Sequence, residues 1–437
     1  MRALEQKALQ ASIWSILEYA SGMALRVVSS LVLTRLLLPA YFGEITLVTT
    51  LIMGMTLLSD IGLAPSVIQS PRGDDPVFLN TAWTIQVLRG IALCLIAVAI
   101  SWPVALFYHD PKLGLLLPVL ALGTLIGGFN STNLMTLSRH MGARRFFAID
   151  GSTAVVALVV TITWAYFRPS VWSIVGGQLV STVYRLCISF IPAVAPGIRN
   201  SFAWEKESVH SILHFGRWIL IGTAFTFFAT QSDRLILGKL IPLALLGIYG
   251  LAYQISDIPR QIILALSYRA AYPFISKIIY QPIELFRAQF LRYRFFALLA
   301  GAFILSIMVN WGGLLIVHLY DHRYRDAAWM IPILALGLWQ TLLYNTTLPV
   351  LLSMGRAKYN ALGYGSYCLS ICAGIPIAFH FLHMYGAVIA VAAADLPMYF
   401  IVQIGMHRNA VPPWRQDLKM TAVFVSAVLA FHFLKRL

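Results

Sequence analysis

Residues 81–103 read TAWTIQVLRGIALCLIAVAISWP, an apolar run whose single charged residue is Arg89. A helix that crosses the roughly 30 Å hydrocarbon core of a bilayer needs about 20 such residues. About 13 comparable runs follow one another between Ser12 and Leu434, with short polar loops between them. In lipid, each backbone polar group must be paired within its own helix or across a closed barrel, and these runs are too long for barrel strands. The sequence therefore predicts an all-α polytopic membrane protein.

The charge distribution of the chain predicts its orientation. The 437 residues are 59% hydrophobic and 11% charged, with a formal net charge of +15. A cytoplasmic N-terminus would gather Lys and Arg about two to one in the inner loops, as the positive-inside rule requires. The excess therefore predicts a cytoplasmic N-terminus and no nucleic-acid partner. One detail disagrees: 13 crossings place Lys435-Arg436 outside, so either the count is off by one or the last segment is a peripheral helix.

Loop motifs recur in the same order in the two halves of the chain. Gly43 and Gly142 have counterparts in Gly247 and Gly355 at nearly one offset. Short Gly-Pro-basic loops could also recur by chance, but a repeat of six helices explains the order. Such repeats are parallel and enclose the substrate path. We therefore predict two parallel six-helix repeats around a central cavity, arranged as an N-terminal lobe, an inter-lobe cytoplasmic linker, a C-terminal lobe and an additional C-terminal helix (1–193, 194–211, 212–405 and 406–437).

Ionisable residues inside the apolar runs are the candidates for function, since each costs roughly 2.5–3.5 kcal/mol at mid-helix. Guanidinium groups stay charged and bind phosphate through two hydrogen bonds. We therefore predict a substrate site for an anion, formed by Arg26, Arg260, Arg89 and Arg185. Internal ion pairs or snorkelling to the interface are the alternatives for these arginines. The acidic candidates for coupling to an ion gradient are Glu18, Asp257 and Asp395, and Asp257 can pair with Arg260 at i+3.

Other segments suggest structural roles. Gly123-x-x-x-Gly127 is typical of close packing between membrane helices. Asp233-Arg234 is predicted to pair locally or to anchor its lobe. Residues 280–294 read as a basic amphipathic segment on the cytoplasmic leaflet. The sequence carries no recognisable catalytic motif, metal-ligand spacing or cofactor motif, so we predict no enzyme activity, no metal and no cofactor.

Several motifs resemble those of the polysaccharide flippase family, the Wzx-type oligosaccharide exporters. The resemblance extends from about residue 10 to residue 410. It is carried by Leu33-Thr-Arg-Leu-Leu-Leu-Pro39, Asp60-Ile-Gly-Leu-Ala64, Val171–Gln178, and Ser232–Gly238 with Leu246–Tyr249. The resemblance implies two six-helix lobes around a central cavity. It also implies transfer of a polyprenyl-pyrophosphate-linked oligosaccharide across the bacterial inner membrane. Family members have cationic cavity residues, but no motif match identifies which arginines here are equivalent to them.

The sequence and the resemblance together favour a lipid-linked oligosaccharide flippase that works by alternating access. Its expected partners are the lipid-linked oligosaccharide, the bilayer and other polysaccharide-assembly proteins. A cation-coupled multidrug antiporter of the same fold is the first alternative, since arginines outnumber carboxylates only narrowly inside the spans. An integral glycan polymerase is the second alternative, and the short outer loops argue against it.

Overall fold

The computed structural model describes residues 2–140, 142–192, 194–195, 197–266, 275 and 280–435, and within them the side chains of 2–13, 15, 16, 18, 19 and 263–266 lie outside the description. Two compact units divide the chain, Met1–Phe227 and Phe228–Leu437. The division falls inside a continuous helix, Lys206–Leu240. The lobe boundaries expected from the sequence remain predictions.

Unit 1 is built from eight helices among its described residues, followed by the first part of a ninth. In chain order they are α1 Arg2–Leu36, α2 Pro39–Leu58, α3 Leu63–Gln69, α4 Pro76–Tyr108, α5 Leu113–Gly128, α6 Asn133–Arg139, α7 Ala143–Phe167, α8 Val171–Ser189 and α9 Lys206–Leu240. Proline at the start of α2 and α4 favours a helix there, because the first N–H groups of a helix have no intrahelical partner.

Unit 2 continues α9 and adds eight helices among its described residues. They are α10 Leu243–Ser256, α11 Ile258–Leu266, α12 Ile283–Leu319, α13 Ala327–Asn345, α14 Leu348–Ser353, α15 Lys358–Ala393, α16 Leu396–Arg408 and α17 Trp414–Leu434. His383 interrupts α15 with φ 49° and ψ −135°, so this element is two helices joined at a kink. The kink separates the eleventh and twelfth apolar runs of the sequence.

The prediction of an all-α polytopic membrane fold is confirmed. Nine elements in the described part of the chain are long and apolar enough to cross a bilayer, or ten if the bent pair α5 and α6 is one span. The difference from about 13 apolar runs has three sources. Helix α1 is outside this set, α10 has only 14 residues, and residues 358–408 count once although His383 divides them.

The last helix is long and apolar enough to cross a bilayer, and it packs along α12. Arg294, eleven residues after the start of α12, pairs with Asp417 near the start of α17. Further along, the Asn310 amide donates to the Val428 carbonyl at 3.1 Å, and Lys435 Nζ donates to the Asn310 carbonyl at 2.8 Å. The two helices therefore run side by side in the same direction.

Helix α5 of unit 1 and helix α13 of unit 2 each end at a break that is followed by a short helix. Helices α5 and α6 meet at a bend of 64°, and a break at Thr346–Thr347 separates α13 from α14. A helix end leaves carbonyl groups without intrahelical donors. In unit 1, the Gln86 amide of α4 donates to the Gly128 carbonyl at 2.9 Å. In unit 2, Arg294 of α12 donates to the Leu343 carbonyl at 2.9 Å. In both units, a side chain of the preceding long helix therefore stabilises the break.

Close packing of α4 against α5 uses a glycine one residue beyond the predicted motif. A Cβ at Gly128 would lie 3.2 Å from the Gln86 carbonyl oxygen and 3.3 Å from Gly90 Cα. At Gly123 the nearest atom would be Leu179 Cδ2 at 3.7 Å, and at Gly127 only the Asn130 amide comes within 4 Å. The Gly-x-x-x-Gly prediction therefore identified the correct helix and the wrong residues.

We expect Gly128→Ala to be less stable than Gly123→Ala by about 1–3 kcal/mol, the usual cost of overpacking. Gly123 lies inside α5 and Gly128 is its last residue, so the difference in free energy of unfolding reports the crowding between α4 and α5 together with a helix-propensity difference of at most about 1 kcal/mol. Thermal unfolding of the two variants in detergent measures that difference. Equal stability would contradict the close approach of the two helices at Gly128.

The segment that the sequence assigns to the inter-lobe linker is fastened to unit 1. Backbone N–H groups of Ser201 and Ala203 donate to Asn80 Oδ1 and Thr84 Oγ1, each at 3.0 Å. Arg72 pairs with Asp75 at 2.7 Å and with Glu205 at 2.8 Å. The hydrogen bond from the Arg72 guanidinium to Asp75 holds the pKa of the Asp75 carboxyl below its usual range.

The segment 280–294 is not the surface helix that the sequence predicts. Phe286 and Phe290 stack at 6.1 Å between ring centroids and are each 1% exposed, within a core cluster that includes Met398 and Val402. Arg294 is also 1% exposed. The segment is the first part of α12. Its apolar face is buried against α13 and α16 and therefore does not rest on the lipid headgroups.

Candidate functional site

Unit 2 contains a cavity of about 90 Å³ at a level where two of its membrane helices are interrupted. Asp257 lies between α10 and α11, and Asp395 lies between α15 and α16. Both carboxylates line the cavity, together with Arg260. Three of the ionisable residues singled out in the sequence are therefore brought together by breaks in helices that are far apart along the chain.

Arg260 is held by an ion pair within its own helix region, as the i, i+3 spacing predicts. Its Nε contacts Asp257 Oδ1, and its Nη2 donates to Asp257 Oδ2 at 3.0 Å. The Gln261 amide donates to the same Oδ2 at 2.9 Å. The positive charge of Arg260 is thus largely compensated, and an anion in the cavity would compete with Asp257 for the guanidinium.

Asp395 is held by hydroxyl groups. Thr341 Oγ1 donates to its Oδ2, and the Tyr344 hydroxyl donates to its Oδ1 at 3.1 Å. Among the residues that the structure describes, no Lys or Arg forms an ion pair with Asp395. The rest of the lining includes Tyr253, Tyr364 and Tyr367. The cavity therefore combines tyrosine side chains with two carboxylates and one guanidinium.

Unit 1 contains a second cavity, of about 330 Å³, lined by Arg89 and Asp60. Arg89 Nε donates to Ser59 Oγ at 3.0 Å, and its Nη2 donates to the Thr56 carbonyl at 2.5 Å. These acceptors lie at the end of α2, so Arg89 also caps that helix. Within the described ranges no carboxylate lies at ion-pair distance from Arg89, although the Asp60 carboxylate lines the same cavity.

The remaining sequence candidates line neither of these two cavities. Arg185 of α8 pairs with Asp150 of α7 at 2.7 Å, and both side chains are about one-third exposed. Arg26 is exposed on α1, and its Nε donates to the Gly22 carbonyl at 3.4 Å. Glu18 belongs to α1, but its side chain lies outside the described residues.

The structure also places Arg234, predicted only as a structural residue, beside the cavity, and it adds tyrosines that the sequence analysis did not name. The Arg234 guanidinium lies 5.0 Å from the ring centroid of the cavity residue Tyr253, and it donates to Gln231 Oε1 at 2.5 Å. Its neighbour Asp233 accepts a hydrogen bond from the Tyr249 hydroxyl at 2.7 Å. This bond connects α9 to α10, in agreement with the anchoring role that the sequence suggested for Asp233. The tyrosines in the apolar runs could have indicated a polar site, since a buried tyrosine hydroxyl needs a polar neighbour.

Comparison with known protein families gives one match that covers most of the chain. The sequence profile of a family described as "Polysaccharide biosynthesis protein" matches residues 32–329. The lipopolysaccharide biosynthesis protein WzxC of Escherichia coli is 24% identical over 279 residues, which cover 63% of this chain and 56% of WzxC. The amylovoran biosynthesis protein AmsL of Erwinia amylovora is 26% identical over 263 residues, 59% of this chain and 66% of AmsL.

The alignment thus spans less than two thirds of the length of both relatives. Among solved structures, the inward-facing form of a multidrug resistance MATE family transporter of the MOP superfamily aligns with a TM-score of 0.70 and 14% identity, over 89% of this chain and 95% of that one. The lipid II flippase MurJ in its inward closed conformation aligns with a TM-score of 0.68 and 11% identity, over 98% of both chains. The chain therefore has the fold of these transporters.

Proposed function

The chain belongs to the polysaccharide biosynthesis protein family, and on that premise we propose that it is a flippase for a lipid-linked oligosaccharide. Its substrate would be a polyprenyl-pyrophosphate-linked glycan, moved by alternating access across the bacterial inner membrane for polysaccharide biosynthesis. The proposed orientation places the N-terminus in the cytoplasm. WzxC and AmsL support the proposal through their names as polysaccharide biosynthesis proteins, and MurJ supports it as a lipid II flippase of similar fold.

The observation that carries the proposal is the cavity of unit 1, which Arg89 lines without forming an ion pair in the described structure. A guanidinium next to open space can bind a pyrophosphate through paired hydrogen bonds. Arg26 would be a second contact, since its side chain is exposed. Arg185 would contribute only if its pair with Asp150 opened.

The cavity of unit 2 suggests how transport could be coupled to an ion gradient. Protonation of Asp257 would free the Arg260 guanidinium to contact the substrate, because the two groups are otherwise paired. Glu18 and Asp395 are the other coupling candidates. An inside-negative membrane potential would also favour outward movement of the anion, by about 2.3 kcal/mol per charge per 100 mV. The proposed lobes, 1–193 and 212–405, would rock so that the substrate path opens first to the inside and then to the outside. The polyprenyl tail would stay in lipid.

A cation-coupled multidrug antiporter is the second candidate. One observation favours it: Asp395 carries a carboxylate without an ion-pair partner in the described chain, beside several tyrosines. Carboxylates and aromatic faces suit an organic cation. The basic residues of unit 1 favour the flippase, because Arg89 would repel such a ligand.

We expect purified protein in proteoliposomes to expose a fluorescent polyprenyl-pyrophosphate glycan to a membrane-impermeant quencher faster than protein-free liposomes do. The measurement would be made with and without an imposed proton gradient and membrane potential. Ethidium uptake by the same vesicles would be the parallel readout. Glycan exchange without ethidium transport supports the flippase. Ethidium transport without glycan exchange would replace it with the antiporter.

A further inference from the structure

The cavity of unit 2 contains a buried hydroxyl group to which no described residue forms a hydrogen bond. Ser256 lines the cavity and is 2% exposed, and its Oγ has no hydrogen-bond partner among the described residues. Buried polar atoms in native proteins nearly always have a partner, so an isolated one points to a missing ligand or ordered water. Ser256 therefore offers a donor and an acceptor to a molecule in the cavity.

The other lining groups define the chemistry of that molecule. Tyr253, Tyr364 and Tyr367 supply aromatic rings with polar tips. Asp395 accepts one hydrogen bond at each oxygen, from Thr341 and from Tyr344, which leaves further lone pairs on the carboxylate. A sugar ring presents apolar C–H faces and a rim of hydroxyl groups. It matches a site that combines aromatic faces with a carboxylate and a free hydroxyl.

The charge of the cavity limits which sugars fit. Arg260 is paired with Asp257, and Asp395 forms no ion pair in the described part of the chain. The lining thus carries one more carboxylate than guanidinium. An acidic sugar would bring a second unpaired carboxylate next to Asp395, and like charges disfavour binding. A neutral or amino sugar meets no such repulsion.

We propose that this cavity is a subsite for a neutral or amino sugar of the transported glycan, with the Ser256 hydroxyl and Asp395 as its polar contacts. The proposal rests on the proposed flippase function and assigns the sugar to unit 2, whereas the pyrophosphate is assigned to Arg89 in unit 1. The subsite selects against uronic acids at the position that it binds.

The test is saturation-transfer NMR on the full chain in detergent micelles, with methyl glucoside, methyl glucosaminide, methyl glucuronide and ethidium as probes. We expect saturation of the ring protons of the first two glycosides and at least about 10-fold weaker binding of the glucuronide. Ser256→Ala should weaken glycoside binding about 2- to 10-fold, the value of one hydrogen bond. It should not impair folding, because no described protein group uses the hydroxyl.

Ser306→Ala is the matched control. Ser306 is a fully buried serine of the same unit whose hydroxyl donates to the Ala302 carbonyl within its own helix, and it does not line the cavity. Absence of transfer to every glycoside, preference for the glucuronide or for ethidium, or equal binding by the Ser256→Ala variant would each overturn the subsite. The flippase proposal falls separately, if the lipid-linked glycan shows no protein-dependent exchange in proteoliposomes.

Discussion

Replacing Arg294 with Met should lower the free energy of unfolding by about 3–5 kcal/mol, the usual cost of removing one partner from a buried ion pair. Arg294 pairs with Asp417 and donates to Thr346 Oγ1 at 2.9 Å and to the Leu343 carbonyl at 2.9 Å. The substitution leaves Asp417, 2% exposed, without its countercharge. It also removes one donor from the Leu343 carbonyl at the break between α13 and α14, where Thr346 Oγ1 still donates at 3.0 Å. Unfolding in detergent, followed by intrinsic fluorescence, measures the loss.

The double variant Arg294→Met with Asp417→Leu should lose less stability than the sum of the two single variants. The unpaired charge is then absent, and contacting residues of one network couple by about 0.5–3 kcal/mol. Asp417 also accepts hydrogen bonds from Tyr399, at 3.0 Å, and from Gln403. The double variant loses these bonds, so its free energy of unfolding should remain below that of the parent protein. Strict additivity would show that the pair contributes nothing as a pair.

Arg292→Met is the matched control for this experiment, because it removes the same charge two residues earlier on an exposed face of α12. We expect its free energy of unfolding to change by less than about 0.5 kcal/mol, as for most surface substitutions. A loss as large as that of Arg294→Met would assign the effect to the net charge of the segment and not to the buried pair.

Arg294 also shows what the sequence could not predict. Apolar runs indicate where helices lie, and the repeat indicates which helices correspond, because both signals are local or periodic. The sequence places Arg294 at the end of the basic amphipathic segment 280–294, where the next apolar run starts. In the structure α12 begins eleven positions earlier, at Ile283, and Asp417 lies 123 residues away. Such a pairing depends on how helices pack and leaves no periodic signal.

The candidate site was predictable to a similar extent. The spacing of Asp257 and Arg260 predicts their pair, because residues three apart share a helix face. The partner of Arg185 is Asp150, on another helix, and the sequence gives no means of choosing it. Ser256 was missed because a serine in an apolar run usually satisfies its hydroxyl within its own helix. Only the three-dimensional contacts distinguish it from Ser306.

The second large effect is expected at Arg89, where Arg89→Gln should slow the exchange of the lipid-linked glycan roughly 10- to 100-fold. That range corresponds to the loss of a hydrogen bond to a charged group, about 1.5–3 kcal/mol. Glutamine keeps an N–H donor that can serve the end of α2, where Arg89 donates to Ser59 and to the Thr56 carbonyl. Protein yield and thermal unfolding should therefore stay close to those of the parent.

Arg185→Gln is the comparison that gives the Arg89 result its meaning. It removes the same charge from the same unit, but Asp150 already compensates that charge, so we expect less than a 3-fold change in exchange, roughly the value of one exposed ion pair. Proteoliposomes with matched protein content would measure both variants under one imposed potential. Equal exchange rates for Arg89→Gln and the parent would contradict the proposal that the pyrophosphate binds in the cavity of unit 1. Equal losses of exchange rate in both variants would instead indicate a general dependence on positive charge. A direct contact with the pyrophosphate would affect Arg89, which forms no ion pair in the described structure, more than Arg185, which is paired with Asp150.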